Sequence, residues 1–305
     1  MSALPARISA QLGLLLVVTS CGDRRAEVSD SVRSSPAQVT PVSPVNLTNW
    51  DMDAGPLMVL SLADGESLGI VLPQATDSTF PAQESTALQS DLSVDLFGRS
   101  GKIASGVVVS PVTRTSGADE CRSWPSGRTR PARPGWRVGF PAGRVTAVPL
   151  DSIDAMRSAD SAALASAIVK TVSSLPSASD AEFRGLPFRV RSAHNFRTDS
   201  IAGVVADVVR SVNEEANPRL EHLFVISERP VNSTASYKVG FFSRTAGAEE
   251  NSEITELLAV VLIGPARRPA IVVNVEYDEG GKLGLLQRTA PGQWRFRWRS
   301  AYTGC

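Results

Sequence analysis

His194 and His222 are the only two histidines in the chain, so they bound the acid-base chemistry that it can run near neutral pH. His222 lies in the strand-like run Leu220-Glu221-His222-Leu223-Phe224-Val225, and His194 falls where a strand should end, before Asn195. Either would serve as a general base if a serine hydroxyl and a carboxylate converged on it, the arrangement of a hydrolase. The plainer role is a histidine on a strand face or in a turn. Two imidazoles exclude a site of several histidines, and the HExxH, CxxC and GxSxG patterns are absent. The acidic pairs Asp151 with Asp154 and Glu249 with Glu250 lack calcium-loop spacing, which makes them helix-start and turn residues rather than cation ligands. Gly98-Arg99-Ser100-Gly101-Lys102 has the outline of a phosphate loop, but Ile103 stands where a hydroxyl is needed, so it is expected to be a strand-connecting turn. No metal and no cofactor are expected.

Arginine carries the other possible chemistry. Between Cys121 and Arg144 stand Arg122, Arg128, Arg130, Arg133, Arg137 and Arg144, interleaved with Trp124 and Trp136 and free of acidic residues. Guanidinium forks bind carboxylate or phosphate bidentately, and tryptophan can stack on a sugar or on an arginine plane. A second group, Trp294-Arg295-Phe296-Arg297-Trp298-Arg299, would place its aromatics on one strand face and its arginines on the other. The expected binding surface is therefore Trp124, Arg128, Arg130, Arg133 and Arg137 with Arg297, facing an anionic partner. Lysine plus arginine equals aspartate plus glutamate, 31 each, so no global field recruits nucleic acid.

The elements that must position these residues are mostly strands. Leu57–Leu62 and Leu68–Leu72 form a hairpin, Leu92–Phe97 alternates as a half-buried strand, and Ile103–Val109 follows it. Residues 116–143 are expected to be loop, ending in the short apolar pieces Trp136–Phe140 and Val145–Leu150. One helix is expected over Ser158 to Leu175, capped by Ser158 or Ser161 and stopped by Pro176. Ile201–Val212 fits a helical stripe, yet its apolar residues are almost all β-branched, which favours a strand. From Phe188 onward the chain is expected to be one antiparallel meander, with Asp278-Glu279-Gly280-Gly281 as a hairpin turn. Together these give a β-rich α+β fold of antiparallel sheets with one principal amphipathic helix.

Ahead of this body lies an apolar run, Leu12 to Val18, preceded by Arg7 and followed by Thr19, Ser20 and Cys21. It is too short to span a bilayer and has the form of an export signal. Val18-Thr19-Ser20-Cys21 resembles the lipobox of bacterial lipoproteins. That resemblance implies cleavage before Cys21, a lipid on Cys21, and attachment of the chain to a membrane of the cell envelope, in the periplasm or at the outer surface. With Cys21 so used, Cys121 and Cys305 remain of the 3 cysteines, and an oxidising compartment lets them pair as a disulfide. Closing so long a loop stabilises a fold by about 4 to 5 kcal/mol in the chain-entropy account. Residues 1–20 are then a signal segment, 21–54 a tether rich in Ser, Pro and Val, 55–183 an N-terminal α+β region and 184–305 a C-terminal antiparallel β region. The function expected is that of a non-catalytic envelope binding or scaffold protein using the Arg/Trp patch, and the alternative is an envelope hydrolase using His194 or His222.

Overall fold

The computed structural model describes residues 43–44, 53–55, 58–60, 67–71, 86–87, 91–113, 124–176, 181–212, 217–248, 252–277 and 280–304. The signal segment, Cys21, Cys121, Arg122 and Cys305 lie outside the described residues. The expected class is the observed one: a β-rich α+β fold of antiparallel sheets with one α-helix among the described residues. All described residues belong to one compact unit, Val39–Cys305.

Eight strands come first: β1 (Ser43–Pro44), β2 (Met58–Leu60), β3 (Ser67–Ile70), β4 (Thr86–Ala87), β5 (Leu92–Gly98), β6 (Gly101–Thr113), β7 (Ser126–Arg130) and β8 (Val138–Pro141). Inside the expected tether, β1 pairs in parallel with β4. The other six close an antiparallel barrel in the order β2-β3-β7-β6-β5-β8. Its interior is Leu68, Ile70, Val94, Leu96, Val108 and Trp136, all buried. Closure requires β7, which corrects the expected loop over 116–143. Thr129 points inward between Arg128 and Arg130, so the inward signal of this strand is a single threonine while the arginines face out.

Between the barrel and the second stacked sheet lie the eight residues 142–149. β9 (Val145–Val148) joins a six-stranded sheet with β15 (Ile254–Ile263), β16 (Arg268–Tyr277), β17 (Gly280–Ala290), β18 (Gln293–Arg299) and β19 (Thr303–Gly304). After Pro149, β10 (Leu150–Ser152) opens a five-stranded sheet with β11 (Arg189–Arg197), β12 (Ile201–Val212), β13 (Arg219–Pro230) and β14 (Lys238–Ala248). The expected single meander is thus two meanders in two stacked sheets. Ile201–Val212 is a strand paired on both flanks, as its β-branching favours. Tyr277 pairs with Gly280 and Glu276 with Gly281, so β16 and β17 form a hairpin where one was expected, but Gly280 and Gly281 belong to β17 rather than to the turn.

The layers follow from which side chains alternate to which face. One face of the six-stranded sheet packs on the barrel through Val261, Ile263, Val272 and Leu285 against Val138 and Phe140. Its other face, with Leu257, Val260, Val273 and Leu286, packs on Val205, Phe224 and Ile226 of the five-stranded sheet. The outer face of that second sheet, with Val204, Ala206, Val208, Leu223 and Val225, receives the helix α1 (Ser158–Ser173) through Ile168 and Val172. Arg157 is the N-cap residue and offers no side-chain cap, so neither Ser158 nor Ser161 caps the helix; Ser158 is already its first helical residue. The Arg157 guanidinium instead bonds Asp160 at 2.8 Å.

Glu228 of β13 clamps one end of the stacked sheets. Its carboxylate, 4 % exposed, accepts from Arg288 Nε and Nη2, Gly292 N–H and Trp294 Nε1 at 2.6–3.0 Å. Burial pushes its pKa up, but these donors outweigh it and hold the pKa below the usual carboxylate value. On the outer face Glu221, fully buried, accepts from Arg210 and Arg244, and the Arg210 guanidinium lies 4.5 Å from the Phe188 ring centre.

Candidate functional site

Three arginines of the expected binding surface stand on or just after one strand, and the other two belong to other parts of the fold. Arg128 and Arg130 project from β7, and Arg133 is exposed in the turn that follows. Arg137 turns away to Glu256 at 3.5 Å, a carboxylate that it shares with Arg99 at 2.5 Å. The tryptophans serve the core: Trp136 is fully buried, and Trp124 is half-buried against the layer between barrel and sheet with its indole N–H enclosed. Arg297 belongs to β18, in a different sheet from β7. There the register shifts between Leu285 opposite Trp298 and Leu286 opposite Phe296. Trp298 packs on the barrel side while Phe296 packs on the other, so the expected single aromatic face is corrected by a bulge at Arg297. Arg299 caps the Phe296 ring, 4.0 Å from its centre.

The two histidines enter one inter-sheet layer. His194 is an interior residue of β11, not a strand end, and is paired with Ser152 and Val205. It lines a cavity of about 240 Å³ together with Arg99, Arg191, Asp207, Glu256 and Glu276. Its ring is 8 % exposed, its Nδ1 has no hydrogen-bond partner, and burial followed by the nearby Arg99 charge lowers its pKa. His222 on β13 is 4 % exposed with neither ring nitrogen hydrogen-bonded, and its Nδ1 lies 3.5 Å from Asp207 Oδ1. Asp207 also faces Arg191 at 3.8 Å. Among the described residues no hydroxyl is hydrogen-bonded to either ring, so the geometry lacks the nucleophile-base contact of a triad.

Of the remaining candidates, Gly98–Lys102 is the β5–β6 turn, with Gly98 paired to Gly101. Lys102 lies 2.6 Å from Asp95. Arg99 projects from this turn to the Leu257 carbonyl at 3.0 Å as well as to Glu256, tying the barrel to the sheet; nothing in its local sequence signals that reach. Asp154 lies in a short 3-10 turn, its N–H donating to Ser152 Oγ at 3.3 Å, whereas Glu249 and Glu250 lie outside the described residues. Among the described residues no group of three or more His, Cys, Asp or Glu is disposed to hold a metal ion, and no helix is long and apolar enough to cross a membrane.

A third region answers better to a binding site. Five strands about 4.8 Å apart make a face roughly 20 Å wide, and a helix with its side chains is only about 10 Å across. The helix α1 sits over the β11 side; Val204, Ala206 and Val225 are buried, while Leu164, Leu175, Tyr237 and Val239 at the margin stay half-buried. The result is an open groove of about 680 Å³ between α1 and β14. Leu164 and Ile168 of α1, with Leu175 just past its end, form one wall, and Val225 and Val239 of the sheet, with Tyr237 just before β14, form the other. Among the described residues no aspartate or glutamate lines it, whereas Lys170 and Lys238 do. The sequence signal for it was a helix counted once against a sheet whose width could not be counted. The chain matches no known family model, no curated protein and no solved structure.

Proposed function

We propose that this is a lipid-anchored, extracytoplasmic bacterial protein that acts by binding rather than by catalysis, and that the groove between α1 and β14 receives an apolar chain of an envelope amphiphile. The observation that carries the reading is the open groove itself, of the size that small ligands occupy and walled by the half-buried Leu164, Leu175, Tyr237 and Val239. The lipobox-like Val18-Thr19-Ser20-Cys21 supports the anchor, and the odd cysteine count supports a Cys121–Cys305 disulfide in an oxidising compartment. The hydrolase alternative has two buried histidines in its favour, and Ser192 and Thr255 share the cavity of His194, but among the described residues no hydroxyl is hydrogen-bonded to either ring.

Binding of a fluorescent long-chain acyl probe to the full-length protein tests the reading. Saturable binding is expected, and Ala167→Trp should reduce it by filling the groove from an exposed helix position that spares the core. An unchanged affinity in Ala167→Trp, or no saturable binding, overturns it.

A further inference from the structure

We infer that the groove selects a long-chain carboxylate: a fatty acid in its anionic form rather than a neutral or cationic amphiphile. The inference rests on the groove being the binding site, and adds the class of ligand. Shape argues first. The groove is lined along α1 from Leu164 to the helix end at Ser173, about 14 Å, and on past it to Leu175, so it is long relative to its volume of about 680 Å³. A linear chain fits such a channel, and each methylene moved into it from water contributes about 0.8 kcal/mol.

Charge argues second. Lys170 lies in the last turn of α1, Lys238 is the first residue of β14, and both line the groove. Neither is in an ion pair among the described residues. A third cation stands behind the wall, the Arg229 guanidinium stacked 4.6 Å from the ring centre of Tyr237. The hydroxyls on the helix side are already committed: Thr171 Oγ1 donates to the Ala167 carbonyl at 2.8 Å, and Ser174 Oγ donates to the Thr171 carbonyl at 2.7 Å. On the sheet side Ser227, Ser236 and Tyr237 add hydroxyls, but the only charged groups lining the groove among the described residues are the two ammonium ions, with no carboxylate among those residues opposing them. An alcohol headgroup can hydrogen-bond there but gains no attraction between opposite charges, and a quaternary ammonium is repelled.

Equilibrium dialysis of the full-length protein against palmitate, hexadecanol and hexadecyltrimethylammonium, each below its aggregation concentration, separates the possibilities. Palmitate is expected to bind about tenfold more tightly than hexadecanol, and the ammonium compound most weakly. The double variant Lys170→Glu/Lys238→Glu should lose about tenfold for palmitate with hexadecanol unchanged, since both lysines are solvent-exposed and their replacement leaves the thermal transition in place. Equal affinity for all three compounds would refute carboxylate selection while leaving an apolar groove standing. Absence of saturable binding by any of the three would refute the groove itself.

Discussion

Glu228→Gln isolates the electrostatic clamp between the two sheets. The substitution keeps the shape of the side chain and removes its charge. It leaves the Arg288 guanidinium, 18 % exposed, beside a neutral amide, and it turns an amide NH₂ toward an N–H of Arg288, Gly292 or Trp294 that formerly met an oxygen. Breaking a buried ion pair by neutralising one partner costs about 3–5 kcal/mol. The residual exposure of Arg288 puts the expectation at the lower end, about 3 kcal/mol. Urea denaturation followed by circular dichroism should show a lower midpoint with an unchanged slope, because the surface exposed on unfolding is the same. The pH dependence supplies a second check. The folded carboxyl titrates below its ordinary value of 4.5, so its stabilisation is present in full above that value and is lost as pH falls through the folded value. The gap between wild type and Glu228→Gln should therefore close on acidification below pH 4.5. A cost under about 1 kcal/mol at neutral pH, or a gap indifferent to acid, would refute the idea that this carboxylate holds the sheets together.

Further outcomes can be stated briefly. His194 is held neutral by burial and by Arg99, so the unfolded chain binds a proton more readily; stability should fall as pH drops below 6.5 toward the lowered folded value, and His194→Gln should flatten that part of a denaturation series. Gly203→Ala would place a Cβ 2.1 Å from the Phe196 ring, so the ring must move, and a loss of about 1–3 kcal/mol by urea denaturation is expected. Cys21→Ala should abolish incorporation of labelled fatty acid into the chain; a wild type that never takes up label would rule out the anchor. Non-reducing peptide mapping should recover Cys121 and Cys305 in one linked fragment, and separate unlinked peptides would exclude the disulfide.

The strands that were legible from sequence carried their own period. Leu92–Phe97 alternates, and Ile201–Val212 is so rich in β-branched residues that pairing on both sides outweighs a helical spacing. β7 was not legible, because the barrel closes on it through one inward threonine while its arginines imitate a solvated loop. The faces of Trp294–Arg299 went wrong at one residue, since a bulge depends on the partner strand and leaves no mark in a single sequence. Both histidines were found by type, but their shared inter-sheet layer is a product of two strands meeting across the stack. The groove was invisible for a related reason: it is space that one helix does not fill.

The crossing at residues 142–149 bears on how the protein can be cut. Every barrel strand lies before Ala142, and every described strand of the two stacked sheets begins at Val145 or later. The junction is an exposed turn at Gly143, where φ is +74°. A break at Gly143 severs no sheet, yet the two pieces would still share the buried layer formed by Phe97, Val138 and Phe140 against Val261, Val272 and Leu285, and the Arg99 bridge to Glu256. Separately produced halves divided there should be poorly soluble alone and reassociate when mixed, so this turn is a natural place to split the molecule into a complementing pair.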